Sequence, residues 1–142
     1  MMREIKFRAW DGKTMHMVCR LGCNGYSTDL WSPSPISCNR RQTSFLRIMQ
    51  FTGLKDKNGK EIYEGDLLLV DGYNDTYDGC LVEVFFYEAA FKMRNRDFRK
   101  NGEIVKRVPD VTKGGYCEWI ARGGNKCKVI GNIYENPGLI NK

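Results

Sequence analysis

At 142 residues, with 42% hydrophobic and 12% aromatic side chains, the chain has the material for a buried core and far more of it than a disordered chain carries. No apolar run approaches the roughly 20 residues of a membrane-crossing helix, and the charged start MMREIKFRAWDG lacks the apolar centre of a secretory signal, so a cytoplasmic protein without membrane contact is expected. The net charge of +6 comes in blocks, +5 over residues 1–50, −6 over 51–91 and +7 over 92–142, which suits contact with a polyanion, with a charged protein or with a second copy of the chain.

In chain order, Ile5, Phe7 and Ala9 alternate with Glu4, Lys6 and Arg8, the period of a half-buried strand. Asp11-Gly12 then predicts a turn, with residues 14–19 returning as the hairpin partner. Residues 22–44 are rich in Ser, Asn and Gly and hold Pro33 and Pro35, so they read as an irregular loop insertion. Residues 45–51 alternate as a strand, and the apolar run at 67–70 predicts a strand covered on both faces. Residues 80–91 are dense in Val, Phe and Tyr and form the most strand-like segment, with a tail open to helix. Asn101-Gly102 between charged arms predicts a hairpin. Two further strands are expected at 116–121 and 126–134, and residues 138–142 form a tail. No stretch sustains helical periodicity beyond about two turns. The expected fold class is mainly β, a single domain over 1–142 built of small barrel-like or curved antiparallel sheets with little helix.

Glycines and charges between residues 51 and 70 invite a phosphate or calcium loop, and spacing excludes both. A Walker loop needs GxxxxGK[ST], whereas Gly53 and Gly59-Lys60 are one residue too far apart and Glu61 stands where a hydroxyl must hold magnesium. A calcium loop lacks its second and third acidic ligands after Asp56. The reading adopted is a type I′ turn with positive φ at Asn58 and Gly59, followed by a bend or bulge at Glu64-Gly65-Asp66 that launches a buried strand.

Three segments, REIKFRAWD (residues 3–11), MQFTGLKDKNGKEIYEGDLL (49–68) and VIGNIYENP (129–137), resemble the signatures of the YopX family of bacteriophage and prophage proteins. They frame the whole chain. The resemblance implies a mostly β fold with barrel-like elements and an accessory protein working inside a bacterial cell. It assigns no enzymatic activity or cofactor, so no catalytic residue or metal ligand is carried over. Trp10, Gly53, Asn58, Gly59, Gly65, Asp66, Gly131, Asn132 and Pro137 are motif positions with expected structural roles.

Function therefore has to be sought outside the motifs. Residues 92–107 hold Lys92, Arg94, Arg96, Arg99, Lys100, Lys106 and Arg107 against Asp97 and Glu103. On extended backbone Lys92, Arg94 and Arg96 point to one side with Phe91 and Phe98 nearby, a pattern suited to phosphate contact and base stacking on DNA or RNA. A solvated basic hairpin is the plainer alternative, and Asn39–Ser44 forms a smaller basic patch. The second functional expectation is a protein-interaction module that binds a host or phage protein or forms a homo-oligomer. Catalysis has thin support, since His16 is the lone histidine and Asp66, Asp71, Asp75 and Asp78 read as loop acids; the protein is expected not to be an enzyme. Zinc is conceivable at His16, Cys19, Cys23 and Cys38, but their H-x2-C-x3-C-x14-C spacing departs from zinc knuckles, and incidental thiols are the reading adopted. Cys117 and Cys127 are expected on adjacent strands as small core residues, and Cys80 is likewise expected to stay reduced.

Overall fold

A computed structural model describes residues 2, 4–21, 27–30, 39–42, 46–70, 79–100, 103–107 and 127–140. The chain gathers into two compact units, Met1–Phe51 and Thr52–Lys142. No linker marks the boundary because it falls inside a continuous strand.

In the first unit, β1 (Phe7–Trp10) and β2 (Met15–Leu21) form the expected hairpin, with Trp10 opposite Met15. The Asp11 carboxylate organises its turn, accepting the backbone N–H groups of Lys13 and Thr14 at 2.8 Å each. Two short strands, β3 (Ser27–Leu30) and β4 (Asn39–Gln42), lie where the composition predicts only loop. They pair antiparallel with Ser27 opposite Gln42, and β3 continues onto β2. Strands with so many polar residues have weak sequence signals, because strand preference depends on cross-strand neighbours that lie elsewhere in the chain. β1 also pairs with β5 (Arg47–Lys55), Phe7 opposite Gln50. It is thus an inner strand, and Arg8 is buried on one face while Ala9 is buried on the other, beside Leu46, Val18 and Ile48. Ile5 precedes the strand and is exposed, contrary to the alternation.

In the second unit, β5 is followed by β6 (Glu61–Tyr63), β7 (Asp66–Val70), β8 (Gly79–Tyr87), β9 (Ala90–Lys100), β10 (Glu103–Arg107) and β11 (Cys127–Asn132). A five-stranded antiparallel sheet runs β10-β9-β8-β7-β11. Its central strand β8 is buried on both faces from Cys80 to Val84, and β7 beside it is nearly so, as the continuous apolar run at 67–70 predicts. Ile62, Leu68, Val70, Cys80, Val82, Val84, Met93, Cys127 and Val129 make the core, with Leu54 and Phe91 packed on its border. Each fully buried aliphatic side chain contributes about 1.5–3 kcal/mol. Cys80 and Cys127 sit opposite Val70 from either side, outside any disulfide, as small core residues.

The fold is mainly β, as expected, but the sheets are not closed into a barrel. Closure requires the outermost strands to hydrogen-bond to each other, and among the described residues the orders begin and end on different strands. The helical content among those residues is a 3-10 turn at Pro137–Leu139. The Asn101-Gly102 hairpin is supported by its arms, Lys100 opposite Glu103, while the two turn residues lie outside the described residues. So does the strand expected at 116–121, with Cys117.

Candidate functional site

β8 carries an acid in its most apolar run, Val82-Glu83-Val84. The antiparallel register sets Glu83 opposite Arg94 and Phe85 opposite Lys92. Period two then separates the faces, with Val82, Val84 and Met93 in the core and Glu83, Phe85, Lys92 and Arg94 on the other side. The Glu83 side chain is only 2% exposed and accepts from two guanidinium groups. Arg94 Nη2 donates to Oε1 at 2.6 Å and Arg96 Nε donates to Oε2 at 2.6 Å. Arg96 Nη2 also donates to Oε2. Arg94 Nε is buried without a hydrogen-bond partner, and its guanidinium lies 4.6 Å from the centroid of the Phe85 ring.

A bulge completes this cluster. Val82 faces Asn95 and Leu81 faces Asp97, so β9 has one residue more than β8 here, and that residue is Arg96. The N–H that the bulge would strand, that of Leu81, donates to the buried Asp97 carboxylate at 3.1 Å. Two arginines and two acids thus share one stretch of hairpin, and the charges largely cancel. Lys92 follows the same pattern, with Nζ 2.9 Å from Glu88 Oε2 and 5.2 Å from the Tyr87 ring centroid.

The arrangement of Lys92, Arg94 and Arg96 on one side of a strand is as the sequence predicts. Their acidic partners are what sequence spacing could not supply, because Glu83 lies 11 and 13 residues away and is brought in by register. Arg99, Lys100, Lys106 and Arg107 lie on the same ladder, Ile104 opposite Arg99 and Arg107 opposite Asp97. Their side chains are outside the described residues.

At the closed end of the hairpin, Tyr87 pairs with Ala90 across a two-residue turn. Glu88 and Ala89 have φ of 50° and 60°, the left-handed pair of a type I′ turn, in place of the helix that the tail of residues 80–91 left open. Neither residue is Gly, Asn or Asp, so the sequence carries no turn signal, and each residue costs roughly 1–2 kcal/mol in this conformation. Phe86 and Tyr87 beside the turn are 48% and 47% exposed. Phe86 meets Phe91 edge-on at 5.1 Å between centroids. Sequence reasoning missed these two aromatics because on a strand-like run they read as core.

The glycine-rich middle segment is a scaffold. Asp56 is buried, and its Oδ1 accepts the N–H of Asn58 at 2.8 Å and of Lys60 at 2.9 Å. Its Oδ2 accepts the N–H of Val129 at 2.9 Å, and the Lys57 N–H donates to the Cys127 carbonyl. One carboxylate therefore ties the β5–β6 hairpin to β11. Burial alone would raise its pKa, but the three N–H bonds outweigh it and hold the pKa below the usual 3.8. The turn is not type I′, since only Gly59 has positive φ, at 81°. The Gly59 N–H donates to the Asp56 carbonyl and the Asp56 N–H to the Lys60 carbonyl, so a three-residue loop ends on a left-handed glycine. The Asp56 side chain selects this loop by bonding inside it.

The other motif positions also serve local structure. Trp10 ends β1 half-buried, and Gly53 breaks the regular path of β5 with φ of 89°. Gly65 forms the expected bend before β7, where Asp66 Oδ2 accepts the Tyr63 N–H at 2.8 Å. Asn132 Oδ1 accepts the N–H groups of Tyr134 and Glu135, and Pro137 opens the 3-10 turn. Gly131 admits Asn136, whose Oδ1 would lie 2.4 Å from a Cβ there.

His16 Nε2 lies 2.8 Å from Asp11 Oδ2. The Asp11 pKa is held down to about 2, first by the Thr14 N–H, then by His16 and the Lys13 N–H. Cys23, Cys38, Asp71, Asp75 and Asp78 lie outside the described residues, as does the Cys19 side chain. Among the described residues no three His, Cys, Asp or Glu side chains gather as a metal site. No helix there is long and apolar enough to cross a membrane.

The family model described as YopX protein matches residues 6–141. The chain belongs to the YopX family. Two solved structures are similar to this YopX-family chain over nearly its whole length. Protein EF1440 from Enterococcus faecalis shares 28% identity with a TM-score of 0.60, covering 99% of this chain and 100% of that one. Protein yopX from Bacillus subtilis shares 20% identity with a TM-score of 0.55, covering 96% of each, and at that identity supports the fold alone. A search of curated proteins finds no match.

Proposed function

We propose that this YopX-family chain is a non-enzymatic accessory protein, phage- or prophage-encoded and acting in the bacterial cytoplasm, that contacts another protein through the end of the β8–β9 hairpin. The observation that carries this reading is the pair of half-exposed aromatics, Phe86 and Tyr87, beside a strained turn. Aromatic side chains with a charged rim are what protein interfaces favour, and strain kept in a two-residue turn points to a use for its shape. The test is a photo-reactive benzoylphenylalanine in place of Phe86, expressed in the native host. A discrete protein adduct is expected, absent when the probe replaces exposed Lys13 and lost with Tyr87→Ser. Equal labelling from both positions would refute the reading.

A second reading is nucleic-acid binding, favoured by the β9–β10 register that gathers Arg99, Lys100, Lys106 and Arg107 on adjacent strands. Lys92, Arg94 and Arg96 contribute less to it than their spacing implies, because acids of the same hairpin already engage them. Binding to DNA or RNA should fall steeply with salt, and Lys106→Ala with Arg107→Ala should reduce the log–log slope by roughly 2. No shift of either nucleic acid at low salt would end this reading.

A further inference from the structure

The end of the β8–β9 hairpin is self-complementary in charge. The turn at Glu88-Ala89 sits where the chain changes sign, from −6 over residues 51–91 to +7 over residues 92–142. β8 therefore ends the acidic block and all but the start of β9 belongs to the basic one. The Glu88 side chain is 66% exposed and that of Lys92 13%, with the ammonium 2.9 Å from the carboxylate, so an exposed acid and a largely covered base lie side by side at the end. Tyr87 lies on the same face as Lys92, and Phe86 on the opposite one against Phe91.

We propose that the protein contacted there is a second copy of this chain, docked hairpin end to hairpin end about a two-fold axis; the inference rests on the reading of that end as a contact surface. A two-fold contact is isologous, so each residue meets the same patch of its copy. Each Glu88 then gains the second ammonium of the partner's hairpin, and each Lys92 the second carboxylate, with no charge left uncompensated. Tyr87, whose ring lies 5.2 Å from the Lys92 ammonium on the same face, supplies the apolar contact and packs on Tyr87 of the other copy. An unrelated partner would need both a matching acid and a matching base, whereas a second copy brings them by construction. The patch is small beside the about 800 Å² per partner of a standard interface, so the dimer is a weak one, forming at roughly 10–100 µM chain.

The experiment is sedimentation equilibrium on the purified full chain from about 1 to 200 µM. The mass should rise from 16.4 kDa toward twice that value. Glu88→Lys and Lys92→Glu should each weaken self-association by about tenfold or more, since like charges then face each other across the axis. Mixing the two variants should restore it, because Lys at 88 of one copy then meets Glu at 92 of the other while the remaining pair also stays opposite in sign. The double variant in one chain should restore it too. Circular dichroism on each variant checks folding, and the mixture needs no variant to be as stable as the wild type. A strictly monomeric wild type at about 200 µM overturns the inference, as does a dimer indifferent to both charge changes. The benzoylphenylalanine probe at Phe86 separates the two claims. A heterologous adduct from a monomeric chain leaves the contact surface standing and removes the second copy, while no specific adduct removes both.

Discussion

Replacing Asp56 with Asn tests whether one carboxylate holds the second unit together. The two oxygens divide their work: Oδ1 takes the N–H groups of Asn58 and Lys60, and Oδ2 takes that of Val129. An amide keeps one acceptor. If it serves the turn, its NH2 faces the Val129 N–H, donor against donor. One charge-assisted bond of about 1.5–3 kcal/mol is lost, and a buried N–H is left without a partner at a further cost of about 1–3 kcal/mol. Allowing for relaxation, Asp56→Asn should destabilise by roughly 3–4 kcal/mol. For a chain of this length that is a fall in Tm of roughly 10 °C. The pH dependence is the sharper part. Because the folded pKa is depressed below 3.8, the Asp56 contribution is complete above that value and is lost as pH falls through the folded pKa. Urea denaturation at pH 7 and at steps down to about 3 should therefore show a gap between wild type and variant that narrows below about pH 4. A gap under about 1 kcal/mol at pH 7, or one that stays constant on acidification, would refute the role assigned to the carboxylate.

Glu83→Gln leaves Arg94 and Arg96 without their anion; the two side chains are 24% and 21% exposed, so the loss in urea denaturation should fall near the lower end for a broken buried pair, about 3 kcal/mol. Ala89→Gly relieves the left-handed strain at φ 60° and should stabilise the chain by roughly 0.5–1 kcal/mol, read as a higher urea midpoint with unchanged slope; a lower midpoint would mean the turn is not strained. Gly131→Ala drives a Cβ against Asn136 Oδ1 and should cost about 1–3 kcal/mol, whereas Gly131→Ala with Asn136→Ala should recover part of the loss. Asp11→Asn should narrow the stability difference from wild type only as pH falls from 3.8 toward about 2, the interval over which the wild-type carboxylate is titrated.

Much of the fold was legible because its signals are local. Asp11-Gly12 announces a hairpin by turn chemistry, and residues 67–70 announce a two-faced strand by an unbroken apolar run. The three motifs identify the family because their glycines and side-chain caps act within a few residues of one another, as Asn132 does with Tyr134 and Glu135. What failed to show were features created by pairing. β3 and β4 are rich in polar residues and are placed by pairing, β4 on β3 and β3 on β2. The Glu88-Ala89 turn breaks the usual residue preferences, so a rule built on those preferences passes over it.

The candidate site divides along the same line. By itself the sequence determined that the chain is a mainly β protein of the YopX family, that Asn58-Gly59 turns the chain, and that Lys92, Arg94 and Arg96 share one side of a strand. Tertiary structure alone decided what those cations face. The register of β8 on β9 carries Glu83 beneath two arginines and places Phe86 and Tyr87, half-exposed, beside the turn that closes the hairpin. It also brings Val129 to Asp56 across 73 residues. The physical reason is range. Period and turn chemistry act over two to five residues and can be read along the chain, while a buried charge is defined by partners that only the paired strands bring within hydrogen-bonding distance.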